Sequence, residues 1–316
     1  MKGTPRPGFG TVLVLVAAAL WGCWSLVFRS AEAASTSPLS AATETATVFT
    51  VMLFAMAPLA LWTRRRDVRA GTAKDRPSRA FAVVGALGVV DALNALCFFG
   101  AMQRTTVAIA VLCHYLTPLM VALLSPVILG EPRRGSTFVA VALSLAGLVL
   151  LLQPWGRVSG ADVEGAALAS LSAVFYAASL FLGKTLFSSF STWELAAWPK
   201  LTSVPILIVA AALSTGGLAV ELKPGLILVA GGIVCGALAL WLFYVGLSRL
   251  PASQVSVLTL VEPLVAVLVG VLVWGEPMTA IGVIGAALVV WGAGIIARAG
   301  TGADTDTDTD HRGMSS

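Results

Sequence analysis

Pairs of polar side chains interrupt otherwise apolar stretches of the chain. Asp91 and Asn94 are three residues apart, and so are His114 and Thr117. Residues at this spacing share one face of an α-helix. A carboxylate or an imidazole on such a face can bind a cationic or hydrogen-bonding ligand, or carry a proton. His114 also has a simpler interpretation as an interior histidine that is satisfied by a neighbouring helix.

A longer polar stripe precedes Pro263. Ser253, Ser256, Thr259 and Glu262 recur at every third position. The Glu262 carboxylate could bind a substrate ammonium or carry a proton, and the proline beside it frees a backbone carbonyl. The alternative is that these groups only form hydrogen bonds between helices. We consider that alternative stronger for the two serines than for Glu262.

The chain contains an internal repeat. Residues 104–132 and 249–277 superpose with a constant offset of 145, and both segments end in Gly-Glu-Pro. The offset maps His114 onto Thr259 and Thr117 onto Glu262. Two symmetry-related helices would therefore present polar groups at the same depth.

Three further residues are candidates for the same site. Lys200 could meet a substrate carboxylate, pair with Glu262 or Asp91, or extend toward the membrane surface. Trp24 and Tyr244 could line a pocket for a partly apolar solute, and their alternative role is packing or an interfacial belt.

Motifs for other kinds of chemistry are missing from the sequence. It has no Gly-x-x-x-x-Gly-Lys-Ser/Thr phosphate loop, no His-Glu-x-x-His site and no Ser-centred elbow. The four cysteines form no Cys-x-x-Cys pair. We predict no cofactor, no metal and no enzymatic activity. A helix that starts after each following proline accounts for Glu131 and Glu276, so we do not assign them to the site.

The composition is that of an integral membrane protein. Only 11% of the 316 residues are charged and 58% are hydrophobic, with a mean hydropathy of +0.91. A bilayer-crossing helix needs about 20 mostly apolar residues. The apolar stretches predict ten such helices, at about 9–28, 45–62, 80–102, 105–129, 136–153, 162–183, 193–213, 225–247, 252–273 and 278–297. Small residues four apart, Gly232 and Gly236 and also Gly282 and Ala286, predict close helix packing.

The basic residues predict the orientation. If the protein lies in the inner membrane with both termini in the cytoplasm, 15 of the 20 Lys and Arg residues lie on the cytoplasmic side. The predicted units are a five-helix repeat at 1–153, a second at 162–298 and a disordered acidic tail at 299–316. An odd number of helices in each half makes the two halves an inverted repeat, which in transporters surrounds a substrate site near the midplane. A cleaved signal peptide at the N-terminus is the alternative interpretation of the first apolar run.

Several motifs resemble the EamA-like branch of the drug/metabolite transporter superfamily, over about residues 9–297. They are Trp21-Gly22, Arg104-Thr105-Thr106, Thr117-Pro118-Leu119, the turn at 250–253, Glu262-Pro263 and the two Gly-Glu-Pro endings. The resemblance implies ten helices in two inverted five-helix repeats, alternating access and export of small metabolites, amino acids prominent among them. Family members often carry a basic residue in the second helix, where this chain has Thr50.

We therefore expect an exporter of an amino acid or a derivative. The alternatives are multidrug or cation efflux, or metabolite import, by the same fold, and a membrane-embedded enzyme or helper subunit that moves no solute. The expected partners are a small-molecule substrate and the lipid bilayer, with no nucleic acid. The oligomeric state is open, a homodimer being one option. The residues expected to line or couple the substrate cavity are Asp91, Asn94, His114, Thr117, Lys200, Thr259, Glu262, Trp24 and Tyr244.

Overall fold

The protein is a bundle of ten membrane-spanning helices. The computed structural model describes residues 7–155, 159–214 and 217–310, which are helical and contain no strand. The spans are α1 (Gly8–Ala34), α2 (Ala41–Arg69), α3 (Ser78–Met102), α4 (Val107–Ile128), α5 (Gly135–Leu152), α6 (Gly160–Leu186), α7 (Thr192–Ala212), α8 (Leu222–Leu247), α9 (Ala252–Trp274) and α10 (Ala280–Arg298). The prediction of an all-helical protein with ten spans is confirmed.

Several helices are longer than their apolar stretches predict. α2 continues seven residues beyond the predicted end at 62, through three consecutive arginines, to Arg69. The last helix is assigned as Ala280–Asp310, so its backbone extends into the segment predicted as a disordered tail. Hydropathy marks only the part of a helix that matches the hydrocarbon core, whereas backbone hydrogen bonding continues into water. Residues 156–158 of the predicted link and 311–316 of the predicted tail lie outside the described residues.

Large hydrophobic side chains cover the outside of the bundle. Phe54 is 72% exposed, Val127 75% and Leu272 81%. A water-soluble protein of this size rarely exposes so many large apolar groups in continuous patches. This surface is the one that lipid covers.

Four of the spans are broken near the middle or at one third of their length. The segments are Pro7–Gly22 and Trp24–Ala34 in α1, Val107–His114 and Thr117–Ile128 in α4, Thr192–Ala197 and Lys200–Ala212 in α7, and Ala252–Leu258 and Val261–Trp274 in α9. The breaks in α4 and α9 come directly before Pro118 and Pro263, as the repeat predicts. α8 contains a π-helical stretch, Gly232–Leu238.

The contacts between helices follow the relation between the two five-helix halves: when two helices pack together, their equivalents in the other half pack together too. α3 packs on α6 just as α8 packs on α1, and α4 packs on α6 just as α9 packs on α1. α2 also packs on α8 just as α7 packs on α3. Three further pairs join equivalent helices of the two halves: α2 with α7, α4 with α9, and α5 with α10. This is the pattern expected when a pseudo-twofold axis relates the halves.

Glycines allow the closest helix approaches. A Cβ at Gly147 of α5 would lie 2.6 Å from the carbonyl oxygen of Gly285 of α10, and a Cβ at Gly285 would lie 2.5 Å from the Gly147 oxygen. Gly232 and Gly236 likewise face α2, as their spacing predicts, since a Cβ there would come within 2.9 and 2.8 Å of α2 side chains. Gly282 does not provide the close contact of α10, because its Cβ would meet nothing nearer than 3.4 Å. Spacing identified the helix correctly but not the face.

We expect Gly285→Ala to lower the free energy of unfolding by about 1 to 3 kcal/mol, because the added methyl group would overlap the α5 backbone. Thermal unfolding in detergent measures this change. Gly294→Ala on the same helix is the matched control, since no atom lies within 4 Å of a Cβ at that position. Equal stability of the two variants would contradict the contact.

Candidate functional site

A cavity of about 520 Å³ lies between the two halves. Its walls come from α1, α2, α3, α4 and α9, with Leu152 at the end of α5. Most of the wall is aromatic or aliphatic, and the aromatic residues are Trp21, Trp24, Phe28, Phe49, Phe98, Phe99 and Tyr115. Pockets of this size with a few polar groups are typical small-molecule sites.

The cavity is open at one end of the bundle. Arg29 near the end of α1, Met102 at the end of α3 and Val107 at the start of α4 surround this mouth, and Glu276 after α9 completes it. Arg29 Nη1 lies 2.7 Å from a Glu276 carboxylate oxygen, and both side chains are about half exposed, at 49% and 48%. The guanidinium also lies 5.4 Å from the centre of the Trp274 ring. An exposed ion pair therefore marks the entrance.

Glu262 lies inside the cavity, midway along α9, directly after the break in that helix. Tyr115, from the equivalent break in α4, lies beside it in the cavity wall. Gly22 of α1 packs against the same point, since a Cβ there would lie 2.7 Å from the Glu262 carbonyl oxygen. Glu262 thus lies where α1 and α4 approach α9, and Lys200, which was predicted as one possible partner, pairs with Asp91 instead.

Trp24 lies in the cavity wall. Its ring stacks on Phe28, with centroids 5.1 Å apart and an angle of 10° between the planes. Phe28 in turn meets Phe99 edge to face at 6.2 Å. This aromatic ladder offers a flat apolar surface on the side of the cavity next to α1.

His114 and Thr117 hold α4 against α6. His114 Nδ1 lies 2.8 Å from the Ser172 hydroxyl oxygen, and the imidazole stacks on Tyr176 at 5.4 Å. The Thr117 hydroxyl lies 2.8 Å from the carbonyl oxygen of His114 and 3.1 Å from that of Ala173. Neither residue is among those that line the cavity. Their contacts match the interpretation of His114 as an interior histidine satisfied by a neighbouring helix.

Asp91 and Lys200 form an ion pair between α3 and α7. The Lys200 side chain is 2% exposed and that of Asp91 is 24% exposed. Lys200 Nζ lies 4.0 Å from the centre of the Phe49 ring, and the other side of Phe49 is part of the cavity wall. The two charged side chains therefore neutralise each other, and neither is part of the cavity lining. This is one of the pairings predicted for Lys200.

The remaining predicted residues are buried outside the cavity wall. The Thr259 hydroxyl donates to the Ser256 carbonyl oxygen at 2.8 Å. Asn94 Oδ1 is buried without a hydrogen-bond partner among the described residues. Tyr244 packs on Phe187, with ring centroids 6.3 Å apart. Among the described residues, no group of three or more His, Cys, Asp or Glu is arranged to hold a metal ion.

Sequence reasoning missed Tyr115 and the pair of Arg29 with Glu276. Tyr115 had a signal, because it follows His114 and precedes the predicted break. Arg29 was used only to predict orientation, and Glu276 was explained as a helix start. The positions of Arg29 and Glu276 in the sequence do not reveal that the two charges face each other across a cavity mouth.

We expect Lys200→Met or Asp91→Asn alone to lower the free energy of unfolding by about 3 kcal/mol or more, because each leaves one charge unpaired inside the bundle. The double variant should recover much of that loss, as measured by thermal unfolding in detergent. Glu164→Gln is the control, since Glu164 is 73% exposed at 3.9 Å from Arg104 and an exposed pair contributes under about 1 kcal/mol. A double variant as unstable as the worse single variant would contradict the pairing.

Comparison with known proteins gives a consistent picture. The sequence model of the EamA-like transporter family matches residues 8–153 and again residues 163–298. An uncharacterized transporter of Archaeoglobus fulgidus is 29% identical over 210 residues, 65% of this chain and 73% of that protein. The uncharacterized transporter YwfM of Bacillus subtilis is 29% identical over 211 residues, 64% of this chain and 68% of that protein. A crystal structure of a protein that is 22% identical superposes with a TM-score of 0.75, covering 90% of this chain and 95% of that one, which shows a shared fold.

The family match covers all ten membrane spans except the first three residues of α6. It falls on two segments, and each corresponds to five spans. The curated relatives are transporters by name. The protein is therefore a multi-pass membrane transporter that belongs to the EamA-like transporter family.

Proposed function

We propose that the protein is a secondary transporter that exports a small metabolite, an amino acid or a close derivative, by alternating access. In this proposal it lies in the inner membrane with both termini in the cytoplasm. The observation that carries the proposal is the position of Glu262. Of the two carboxylates that line the cavity among the described residues, Glu262 lies midway along a span and Glu276 lies at the mouth.

Glu262 provides a binding group for an ammonium. A substrate ammonium would replace water around the carboxylate and form a charge-assisted hydrogen bond in a mostly apolar setting, where such bonds are strong. The aromatic wall of Trp21, Trp24 and Phe28 adds apolar contact for a side chain and ring faces that attract cations. An amphipathic compound with an amino group fits this combination.

The mouth provides a cation for a substrate carboxylate. Arg29 is half exposed and held by Glu276, so a carboxylate that enters can compete for its free donors. Lys200, by contrast, is already paired with Asp91 behind the wall. In this proposal the substrate lies with its ammonium toward Glu262 and its carboxylate toward the mouth.

The broken helices support movement between two conformations. The breaks in α4 and α9 lie beside the cavity and at equivalent places in the two repeats. Transporters built from repeats commonly change access by moving one repeat against the other around a central site. Export follows if loading occurs from the cytoplasmic side, to which the charge distribution assigns both termini.

Efflux of organic cations is a second candidate, and one observation favours it. The wall is largely apolar, and Glu262 is the only carboxylate of the described lining besides the paired Glu276 at the mouth. A hydrophobic cation needs one carboxylate and aromatic surface and no partner for an anion. The two candidates differ in whether a substrate carboxylate is required.

The function is tested with purified protein reconstituted in liposomes. Uptake of labelled amino acids, their amides, which lack the carboxylate, and cationic dyes is followed against protein-free liposomes. We expect transport of amino acids and weaker transport of the amides. Stronger transport of amides and dyes than of amino acids would establish the second candidate instead, and transport of none of the three classes would overturn the proposal.

We expect Glu262→Gln to weaken the binding of ammonium-bearing ligands about ten- to hundredfold, the effect of losing one charged hydrogen bond. Thermal stabilisation by ligand titration gives the dissociation constant. Glu164→Gln, which changes an exposed carboxylate, serves as the matched control and should bind as the parent does. Full affinity of the Glu262 variant would remove this residue from the site.

A further inference from the structure

The end of the bundle opposite the mouth is held shut by a glutamate. The Glu131 carboxylate accepts hydrogen bonds from the backbone N–H groups of Ala252 and Ser253, at 2.5 and 3.2 Å, and from the Ser253 hydroxyl at 2.9 Å. These N–H groups are the first of α9, where a helix has free donors and a positive end. A negatively charged side chain that follows α4 therefore fixes the start of α9.

A lysine strengthens the same closure. Lys184 Nζ, near the end of α6, donates to the carbonyl oxygens of Leu247 and Leu250, at 2.7 and 2.5 Å. Both oxygens belong to the turn between α8 and α9. Charged groups from both halves thus bind a single turn at this end of the bundle.

The repeat defines the equivalent groups at the mouth. The offset of 145 that superposes the two repeats maps Glu131 onto Glu276, and Ala252 and Ser253 onto Val107 and Ala108. Glu276, Val107 and Ala108 all line the cavity. Glu276, however, pairs with Arg29 at 2.7 Å. The equivalent groups therefore face the same opening, but the glutamate is bound to a different partner.

The local backbone is the same in both copies. Gly130 and Gly275, the residues before the two glutamates, both have φ of +68°, a conformation that strongly favours glycine. At the start of α4, the Thr106 hydroxyl accepts the N–H of Ile109 at 3.3 Å, which is the third residue of that helix. The N–H groups of Val107 and Ala108 precede it and correspond to those that Glu131 binds in α9. The turns that carry the two glutamates are thus alike, whereas the helix starts differ, because Ala108 lacks the hydroxyl that Ser253 donates to Glu131.

We infer that Glu131 and Glu276 are equivalent latches that close opposite ends of the transporter in turn. In the conformation seen here Glu131 binds the start of α9 and the mouth is open. In the opposite conformation Glu276 leaves Arg29, binds the N–H groups of Val107 and Ala108 and closes the mouth, while Glu131 releases α9. This inference rests on the alternating access of the proposed function. It makes both glutamates positioning residues that bind no substrate.

The test measures access to the cavity without any substrate. Cys23, Cys97, Cys113 and Cys235 are replaced by alanine, and Ala266→Cys places one thiol in the cavity wall. The reconstituted protein is labelled with a membrane-impermeant maleimide from the side of the mouth. Glu131→Gln, Glu276→Gln and the exposed control Glu164→Gln are compared with this parent.

The two latch variants should change access in opposite directions. Glu131→Gln should slow labelling by about tenfold, the effect of losing one charged hydrogen bond that favours the open mouth. Glu276→Gln should label at least as fast as the parent, because its mouth closes less readily. A Glu131 variant that labels as fast as the Glu164 control, or two latch variants that both label more slowly than that control, would overturn the inference.

A disulfide provides a second measurement that does not depend on the Glu131 variant folding. Pro277→Cys and Val107→Cys are combined in the cysteine-free chain, so that both Glu131 and Glu276 stay intact. Oxidation should join the two thiols and then protect the Ala266→Cys thiol from the maleimide. The absence of this disulfide, or an unprotected thiol after it has formed, would overturn the inference. Because neither readout needs a substrate, a failed transport assay would count against the proposed function and leave the result on the latches intact.

Discussion

Every backbone polar group in the hydrocarbon core must find its partner within the protein, and this constraint shapes the rest of the structure. An unbroken helix satisfies the requirement alone, whereas a broken one needs help from its neighbours. The break in α4 has such help, because Thr117 bridges its own helix and α6. The break in α9 has Gly22 of α1 packed against it, and it lies beside the cavity. Irregular backbone therefore occurs where the two halves meet.

The hydrocarbon core also excludes water from the few buried charges, so their partners within the protein determine their roles. Lys200 and Asp91 neutralise each other between α3 and α7, and in doing so they connect the halves. Glu262 lies beside Tyr115 and lines the cavity. In the proposed function the paired charges contribute to the architecture, whereas the Glu262 carboxylate, with unused acceptor capacity, binds the substrate. The difference between them lies in the neighbouring helices and not in the residues.

In the proposed alternating access, the repeat allows the same helices to serve two conformations. Nearly every major contact between two helices recurs when each helix is replaced by its equivalent in the other half. For example, α1 packs on α8 as α6 packs on α3. The charged contacts at the two ends do not, because Glu131 binds a helix start and Glu276 binds an arginine. A symmetric sequence framework with asymmetric polar contacts is what a transporter that alternates between two states would show when it is observed in one of them.

The sequence by itself determined the ten spans, the positions of the breaks in α4 and α9, and Glu262 as a polar group beside one of them. These features depend on length, hydropathy and proline, which act locally along the chain. Only the tertiary structure decided which polar groups share the cavity. It paired Asp91 with Lys200, set His114 against Ser172, and brought Tyr115 and Arg29 to the cavity lining. The physical reason is that a side chain's partner depends on the rotation of each helix and on which helix lies beside it, and hydropathy carries little information about either.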